Sequence, residues 1–192
     1  MHRSFIFLAE GFEEIEAITP TDVLRRAGMD VKTVSITDRH QVTGAHGITV
    51  VADLTFDEAN FENTEWLIIP GGLPGAENLH NFEPLNDLLR KQAVEGKIAA
   101  ICASPAMVLA PLGLLDGKEA TGYPGTEEGL RAGGAITRDE RVVSLERIIT
   151  ANGPTSALRF ALAIVANSLG AHVAQEVGSA MLVYGKQTDY YF

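Results

Sequence analysis

The fold is decided by residues 98–105, which read IAAICASP. The apolar run 98–101 predicts a buried strand, and the spacing of apolar residues over 104–115 predicts a helix directly after it. Pro105 would lie in the first turn of that helix, where proline is tolerated. The single cysteine, Cys102, is therefore predicted at a turn from strand to helix. In an open α/β sheet, ligands bind at such turns.

The same alternation of strand and helix extends along the chain. Apolar runs predict strands at residues 5–8, 31–36, 66–69, 98–101, 142–145 and 148–150, and helical spacing predicts helices at residues 13–27, 83–94, 104–115, 154–169 and 173–183. Residues 42–53, with Gly44 and Gly47 among β-branched residues, predict a hairpin or a pair of short edge strands. Strands that are apolar on both faces need helices on both sides of a mainly parallel sheet. We predict one doubly wound α/β domain over residues 1–192, with a small β-hairpin.

We make two predictions for the first helix, one for its inward face and one for the effect of Pro20. Its inward face is predicted from apolar residues at helical spacing, which are Ile15, Ile18, Val23 and Ala27. Pro20 falls inside the same segment, and an interior proline removes a hydrogen bond and clashes with the preceding turn. We therefore expect the helix to be kinked or split at Pro20.

The amino-acid composition argues against several classes of function. Fifteen Lys and Arg against 25 Asp and Glu give a net charge of −10, which argues against nucleic acids and anionic membranes as partners. One cysteine can form neither an internal disulfide nor a multi-cysteine zinc site, and this favours a reducing compartment. The first apolar run ends at Ala9, too early for a signal peptide, and no stretch approaches the ~18 apolar residues of a membrane span. These features predict a cytoplasmic protein.

Cys102 is the first candidate for chemistry. A thiol at a helix N-terminus faces the positive end of the helix dipole and unpaired backbone N–H groups, which lower its pKa and expose a thiolate. The position is similar to the strand-to-helix turn that holds the nucleophile of many hydrolases. The alternative is a core cysteine without chemistry, since cysteine is among the most buried residue types.

Glycines form the second candidate feature. Pro70, Gly71 and Gly72 follow the predicted strand 66–69. Their backbone N–H groups, with that of Ala103, could form an oxyanion hole at the same edge of the sheet. The alternative is an ordinary turn after a strand.

Acidic residues after the first strand form the third candidate feature. Glu13, Glu14 and Glu16 would occupy the first turn of a helix, where carboxylates usually face water and complement the helix dipole. Glu16 directly follows Ile15 and could lie on the inward side. From the residues alone, the solvated position is favoured for all three.

The sequence does not contain the motifs of a Cys-His dyad, a metal site or a nucleotide-binding site. The histidines are His2, His40, His46, His80 and His172, and none follows Cys102 or ends a predicted inner strand. A Cys-His dyad of a peptidase or amidotransferase is therefore not expected. Metal-ligating residues are scattered along the chain, and neither GxGxxG nor GxxxxGK[ST] occurs. We expect no metal and no cofactor.

Several motifs occur together along nearly the whole chain. They are LAEGFEEIE at residues 8–16, DVLRRAG at 22–28, IPGG at 69–72, GAENL at 75–79, AAICASP at 99–105, TGYP at 121–124, NGPTS at 152–156 and DYY at 189–191. In this order they resemble the ThiJ/PfpI superfamily, which is class I glutamine amidotransferase-like. The resemblance is to the branch of the parkinsonism-associated protein deglycase and its bacterial counterparts. It implies a flavodoxin-like sandwich and a homodimer.

The resemblance also implies roles for individual residues. Cys102 would be an oxidation-sensitive nucleophile, and Glu16 would be the carboxyl group that hydrogen-bonds its sulfur. Gly72 and Ala103 would contribute backbone N–H groups, with Gly71 beside them. A charged Glu16 would raise the pKa of the thiol, so the arrangement requires Glu16 to keep its proton, and the two acids titrate as a coupled pair.

The chain departs from members of the family at three positions, which are Ala103, Tyr123 and His46. Ala103 stands where the peptidase members have histidine, so peptidase activity is not expected. Tyr123 stands where the animal deglycase has histidine and bacterial relatives have an aromatic residue; it could position a substrate or cap the pocket. His46 falls near a family arginine that lines the dimer-side pocket, and Arg26 matches a second such arginine. Both are expected to be surface or interface residues and not catalysts.

Two functions follow as hypotheses. The first is a cysteine-dependent glyoxalase or protein deglycase that acts on methylglyoxal-type 2-oxoaldehydes or their early protein adducts. The alternative is a redox-sensing or chaperone-like oxidative-stress protein without turnover. A role in thiamine-precursor biosynthesis is associated with the ThiJ name alone, since no phosphoryl-transfer site is present. The expected homodimer would use the helix around residues 22–26 and the hairpin around 44–47.

Overall fold

The structure, a computed structural model, describes residues 3–183. Its strands are β1 (Ser4–Leu8), β2 (Val31–Ser35), β3 (Gln41–Thr43), β4 (Thr49–Val51), β5 (Leu54–Thr55), β6 (Trp66–Ile69), β7 (Lys97–Ile101), β8 (Glu119–Ala120), β9 (Ile136–Thr137), β10 (Val142–Ser144) and β11 (Ile148–Ala151). Its helices are α1 (Glu14–Arg26), α2 (Gly75–His80), α3 (Glu83–Glu95), a π-helix (Pro105–Leu109), α4 (Glu127–Ala132), a 3-10 helix (Pro154–Ser156), α5 (Ala157–Leu169) and α6 (Ala171–Ala180). The DYY motif at 189–191 lies outside the described residues.

The central sheet has seven strands in the order β10-β11-β7-β6-β1-β2-β5. All neighbouring pairs are parallel except β10 with β11 at one edge. β3 and β4 form a separate antiparallel hairpin. The predicted doubly wound, flavodoxin-like α/β fold with a small hairpin is therefore confirmed.

The central strands are buried on both faces, as their apolar composition predicts. Along β1, Ile6 and Leu8 join one hydrophobic cluster, which includes Phe160 of α5. Phe5 and Phe7 point to the opposite face and join a second cluster, which includes Leu89 of α3. Helices therefore cover both faces of the sheet.

Helix α1 differs from its predicted form in two ways. It buries Glu16, Ala17 and Leu24, whereas Ile15 and Ile18 are 52% and 43% exposed, so the predicted inward face is wrong for these two isoleucines. The helix is rotated so that Glu16 faces the sheet. Pro20 does not split the helix, which runs without a break from Glu14 to Arg26.

The helix after Cys102 is shorter than predicted. The π-helix ends at Leu109 and turns follow it, because Pro111 lacks an N–H group and Gly113 adopts a positive φ of 71°. The short elements β5, β8, β9, α2 and α4 were absent from the sequence-based prediction. Each is only two to six residues long, too short for a periodic signal.

Candidate active site

Three adjacent strands bring the candidate residues to one edge of the sheet. Glu16 belongs to the helix that follows β1, Gly71 and Gly72 follow β6, and Cys102 follows β7. These strands are neighbours in the sheet and run parallel, so their carboxyl ends lie side by side. The chain order also reverses direction between β1 and β6, which is where open α/β sheets bind ligands.

Cys102 occupies a strained turn. Its φ of +66° lies in the left-handed region, which non-glycine residues adopt at a cost. Two backbone hydrogen bonds hold the turn: the Cys102 N–H donates to the Ala151 carbonyl over 2.9 Å, and the Tyr123 N–H donates to the Cys102 carbonyl over 2.7 Å. The buried Ser104 hydroxyl donates to the Pro70 carbonyl over 2.6 Å. The thiol is therefore held between the loops after β6 and β7, and Cys102 is 8% exposed.

Glu16 is completely buried beside this thiol. Its Oε2 atom accepts a hydrogen bond of 2.9 Å from the Gly71 N–H, and its carboxyl group lies beside the Cys102 thiol, with both groups next to the Gly71 Cα. Oε1 has no hydrogen-bond partner within the described residues. The solvated position favoured from the residues alone is therefore wrong for all three glutamates, because Glu13 and Glu14 are also buried, at 9% and 6% exposure. The rotation of α1 turns Glu16 toward the sheet.

Gly71 and Gly72 allow this close packing. A Cβ atom on Gly71 would lie 2.6 Å from the Cys102 Cβ and 2.7 Å from the Glu16 Oε2. Gly72 has a φ of +90°, and a Cβ there would overlap backbone atoms of Gly11, Phe12 and Glu13. Both positions therefore exclude side chains, and the Gly72 amide can approach the sulfur.

Gly71→Ala is expected to slow alkylation of Cys102 by iodoacetamide by about 100-fold, because the added methyl group separates the thiol from Glu16. The rate is measured by intact mass over time, and thermal unfolding verifies the fold. Gly129→Ala is the matched control, since a Cβ there makes only ordinary contacts. An alkylation rate equal to that of the wild type would show that contact between the two side chains is not needed.

The protonation of the two side chains is coupled. Burial raises the pKa of Glu16 to about 7, although the hydrogen bond from the Gly71 N–H acts to lower it. Burial and then the Glu16 charge raise the pKa of Cys102 to about 12, although the backbone N–H groups of Ala103 and Gly72 lower it. The lowered thiol pKa that the helix N-terminus predicts is thus opposed by burial and by Glu16.

These shifts leave one proton on the pair across the neutral and alkaline range. Between pH values of about 7 and about 12, Cys102 and Glu16 together carry one proton and one negative charge. In one arrangement the proton lies on Glu16 and the charge lies on the sulfur, which faces the Ala103 and Gly72 N–H groups. That arrangement supplies a nucleophile and a proton donor in contact with each other.

Of the other predicted site residues, Tyr123 lies beside the turn that holds Cys102, whereas Arg26 lies on the surface away from it. Tyr123 is half exposed and its ring faces Gly153, while its backbone holds Cys102. Arg26 lies at the last turn of α1, where its Nε donates to Asp22 over 2.8 Å on the surface. The structure shows no contact of Arg26 with the Cys102 pair.

His46 contacts Glu13 and Glu14 at the start of α1. Its Nδ1 lies 2.9 Å from the Glu14 Oε2 and 3.5 Å from the Glu13 Oε2. The three donor atoms lie within 4.8 Å of one another and could hold a metal ion. Sequence reasoning treated the metal-ligating residues as scattered. The pairing has no sequence signal, because His46 is 32 residues from Glu14 and reaches it only when the hairpin docks on α1.

No helix within residues 3–183 has the length and apolar character needed to cross a bilayer.

Known proteins are similar to this chain in sequence and in structure. Residues 2–167 match the DJ-1/PfpI family. Protein DJ-1 homolog A of Arabidopsis thaliana is 38% identical over 177 residues, which cover 92% of this chain and 45% of that protein. A Pyrococcus horikoshii protein named as a deglycase is 37% identical over 136 residues, covering 70% of this chain and 80% of the relative.

The fold of this protein also matches the folds of proteins with solved structures. Oxidized DJ-1 of Toxoplasma gondii superimposes with a TM-score of 0.90 at 34% identity, covering 95% of this chain and 98% of that chain. The chain spans less than half the length of the two Arabidopsis thaliana DJ-1 homologues that it matches.

Proposed function

The chain belongs to the DJ-1/PfpI family, and from this membership and its buried thiol–carboxyl pair we propose that it is a cysteine-dependent glyoxalase or deglycase. Its substrates would be methylglyoxal-type 2-oxoaldehydes or their early adducts on protein side chains. The observation that carries the proposal is the contact between Cys102 and the fully buried Glu16. A relative that is named as a deglycase supports the same reaction class. The proposed compartment is the cytoplasm.

The reaction would begin with attack of the Cys102 sulfur on the aldehyde carbon of methylglyoxal. A new C–S bond forms, and the carbonyl electron pair moves to oxygen, where the Gly72 and Ala103 N–H groups stabilise the negative charge. The proton held by Glu16 passes to this oxygen, giving a hemithioacetal. Glu16 is then a carboxylate that can act as a base.

In the second half of the reaction, a proton would move from the former aldehyde carbon to the neighbouring carbon. Glu16 removes the proton from the former aldehyde carbon, which gives an enediolate, and then returns that proton to the neighbouring carbon. The proton of the former aldehyde oxygen passes to the oxygen of the neighbouring carbon as the new C=O bond forms. The product is a thioester of lactate, and water hydrolyses it to lactate and the free thiol. One carbon is oxidised and its neighbour reduced, so no cofactor is required.

The test is production of lactate from methylglyoxal without added glutathione. We expect lactate in proportion to the concentration of the wild-type protein, and none above background with Cys102→Ala. Equal lactate from both proteins, or none from the wild type, would overturn the proposal. Incubation with methylglyoxal-treated N-acetylarginine separates the two substrate classes, because a glyoxalase releases the unmodified amino acid no faster than the adduct dissociates by itself, whereas a deglycase exceeds that rate.

We also propose that the protein is a homodimer that uses the outer face of α1 and the hairpin. Ile15, Ile18, Ile48 and Val51 are exposed there, with Ile48 and Val51 at 57% and 70%. Exposed apolar residues on neighbouring elements are typical of protein–protein interfaces.

Ile18→Glu is expected to convert the dimer to a monomer, because a charge would be buried at the interface. The measurement is mass by light scattering, where the wild type should give about twice the 20.6 kDa of one chain. Ile136→Glu is the matched control, an exposed isoleucine on the short strand β9. A wild-type mass of one chain would contradict the proposed dimer.

The second candidate function is redox sensing. It is supported by the strained, slightly exposed thiol and by the absence of a second cysteine that could resolve a sulfenic acid as a disulfide. The mass of the intact protein after treatment with increasing concentrations of peroxide distinguishes redox sensing from the enzymatic function. A stable gain of two oxygen atoms on Cys102, without any turnover of methylglyoxal, would favour the sensor over the enzyme.

A further inference from the structure

We propose that Leu73 and Tyr123 form an apolar entrance to the Cys102 site. This entrance would select 2-oxoaldehydes in which the ketone carbon carries an aromatic or large apolar group, as in phenylglyoxal. The inference rests on the proposed function, because it names the substrates that the same thiol would attack. Neither Leu73 nor Tyr123 belongs to α1 or to the hairpin, which are the surfaces assigned to the dimer.

Leu73 lies in the loop that packs against the thiol. A Cβ on Gly71 would lie 3.1 Å from the Cys102 Sγ, and Leu73 is two residues further along the chain. Consecutive Cα atoms are about 3.8 Å apart, so the Cα atoms of Gly71 and Leu73 are at most about 7 Å apart. The Ala76 N–H donates to the Gly72 carbonyl over 2.8 Å, which fixes the loop. Leu73 is 62% exposed, so its apolar side chain is available to a substrate.

Tyr123 borders the thiol through a second set of contacts. Its N–H donates to the Cys102 carbonyl over 2.7 Å, and its carbonyl accepts hydrogen bonds from the Thr126 N–H and hydroxyl. A Cβ on Gly153 would lie 3.4 Å from the Tyr123 ring. The ring is therefore held beside the nucleophile by the surrounding backbone, and the residue is 48% exposed.

The two side chains lie on opposite sides of the nucleophile. Cys102 follows β7, which lies between β6 and β11 in the sheet. Leu73 follows β6, whereas the Tyr123 ring lies against the glycine that follows β11. Ala103, the residue after Cys102, contributes only a methyl group. An aromatic ring carried by the substrate could therefore lie between Leu73 and Tyr123.

The carboxyl groups near the thiol disfavour an anionic substituent on the substrate. Burial raises the pKa of Glu16, and the charge of Glu13 raises it further. The His46 imidazole is already paired with Glu13 and Glu14, at 3.5 and 2.9 Å. A carboxylate or phosphate on the substrate would meet this negative charge, whereas a phenyl ring is neutral and gains from contact with apolar side chains. The site therefore favours neutral, apolar 2-oxoaldehydes.

Turnover of two aldehydes tests this selection. Phenylglyoxal and water would give mandelate and a proton, whereas glyoxal, which carries only hydrogen on its second carbonyl carbon, would give glycolate and a proton. Leu73→Asn and Tyr123→Ser should each lower the ratio of kcat/KM for phenylglyoxal to kcat/KM for glyoxal about tenfold, because apolar contacts with the ring are lost. Tyr123→Phe should keep the ratio within about twofold of the wild type, since the ring and not the hydroxyl makes the contact.

The matched control is Val94→Asn, because Val94 is an apolar residue with 69% exposure. It lies at the end of α3, directly before β7, and hence at the end of the sheet opposite to Cys102. Its ratio should stay within about twofold of the wild type. Circular dichroism verifies the fold of every variant.

Alkylation of Cys102 tests the entrance without turnover. The rates with 2-iodo-N-phenylacetamide and with iodoacetamide are each divided by the rate for glutathione, which removes the difference in intrinsic reactivity. We expect the wild type to favour the phenyl reagent about tenfold and Leu73→Asn to lose this preference. The inference is overturned if Leu73→Asn and Tyr123→Ser keep the wild-type ratio in either assay. If neither aldehyde gives a hydroxy acid, the proposed function is wrong, and the alkylation ratios still decide whether the entrance binds an apolar ring.

Discussion

Glu16→Gln is expected to lower turnover of methylglyoxal at least about 100-fold at neutral pH, the size typical of a lost general acid–base. Glutamine can still accept the hydrogen bond from the Gly71 N–H, so the geometry of the loop is retained. It cannot, however, take the thiol proton or return a proton to carbon. The loss should therefore appear in kcat more than in KM, because the substrate is still bound.

Alkylation of Cys102 by iodoacetamide, measured in EDTA, separates proton transfer from substrate binding. In the wild type the rate should rise with pH around a midpoint of about 7, where the pair loses its first proton, and then level off. In Glu16→Gln the midpoint should move to higher pH, because burial raises the thiol pKa and no carboxylate accepts its proton. Glu16→Asp should keep a midpoint near neutrality. Identical profiles for wild type and Glu16→Gln would show that the two side chains do not exchange a proton.

The same Glu16→Gln substitution is expected to stabilise the fold above neutral pH by about 3 kcal/mol. Burial raises the pKa of Glu16 to about 7 in the folded state from a usual value of 4.5. Below pH 4.5 both states hold the proton, and between 4.5 and 7 the unfolded chain releases a proton that the folded chain keeps. The stability that this group contributes is therefore lost as the pH rises through this range. Glutamine has no proton to lose.

Urea unfolding at pH 5 and pH 8, again in EDTA, measures this effect. The difference in unfolding free energy between variant and wild type should be small at pH 5 and large at pH 8. Glu128→Gln, which removes an exposed carboxylate from α4, controls for the change in net charge. A difference that does not change between the two pH values would mean that Glu16 titrates in the folded protein as it does in the unfolded chain. If Glu16→Gln lowers turnover and raises the unfolding free energy, Glu16 serves the reaction at the expense of stability.

Much of the fold follows from local patterns. Continuous apolar runs such as β6 and β7 are long enough to identify buried strands, and Gly71, Gly72 and Cys102 stand at the strand ends where parallel topology places a site. Elements of two to six residues escaped prediction because they contain too few positions for a period to be recognised.

The amino-acid sequence by itself determined the α/β architecture, the family motifs and the position of Cys102 at a turn from strand to helix, because each depends on residues close together in the chain. Only the tertiary structure decided which face of α1 is buried, and hence that Glu16 points inward while Ile15 points out. Contacts that join Glu16 to Gly71 across 55 residues, and Glu14 to His46 across 32, exist only after the strands pair and the hairpin docks. Packing sets those distances, and no local period encodes them.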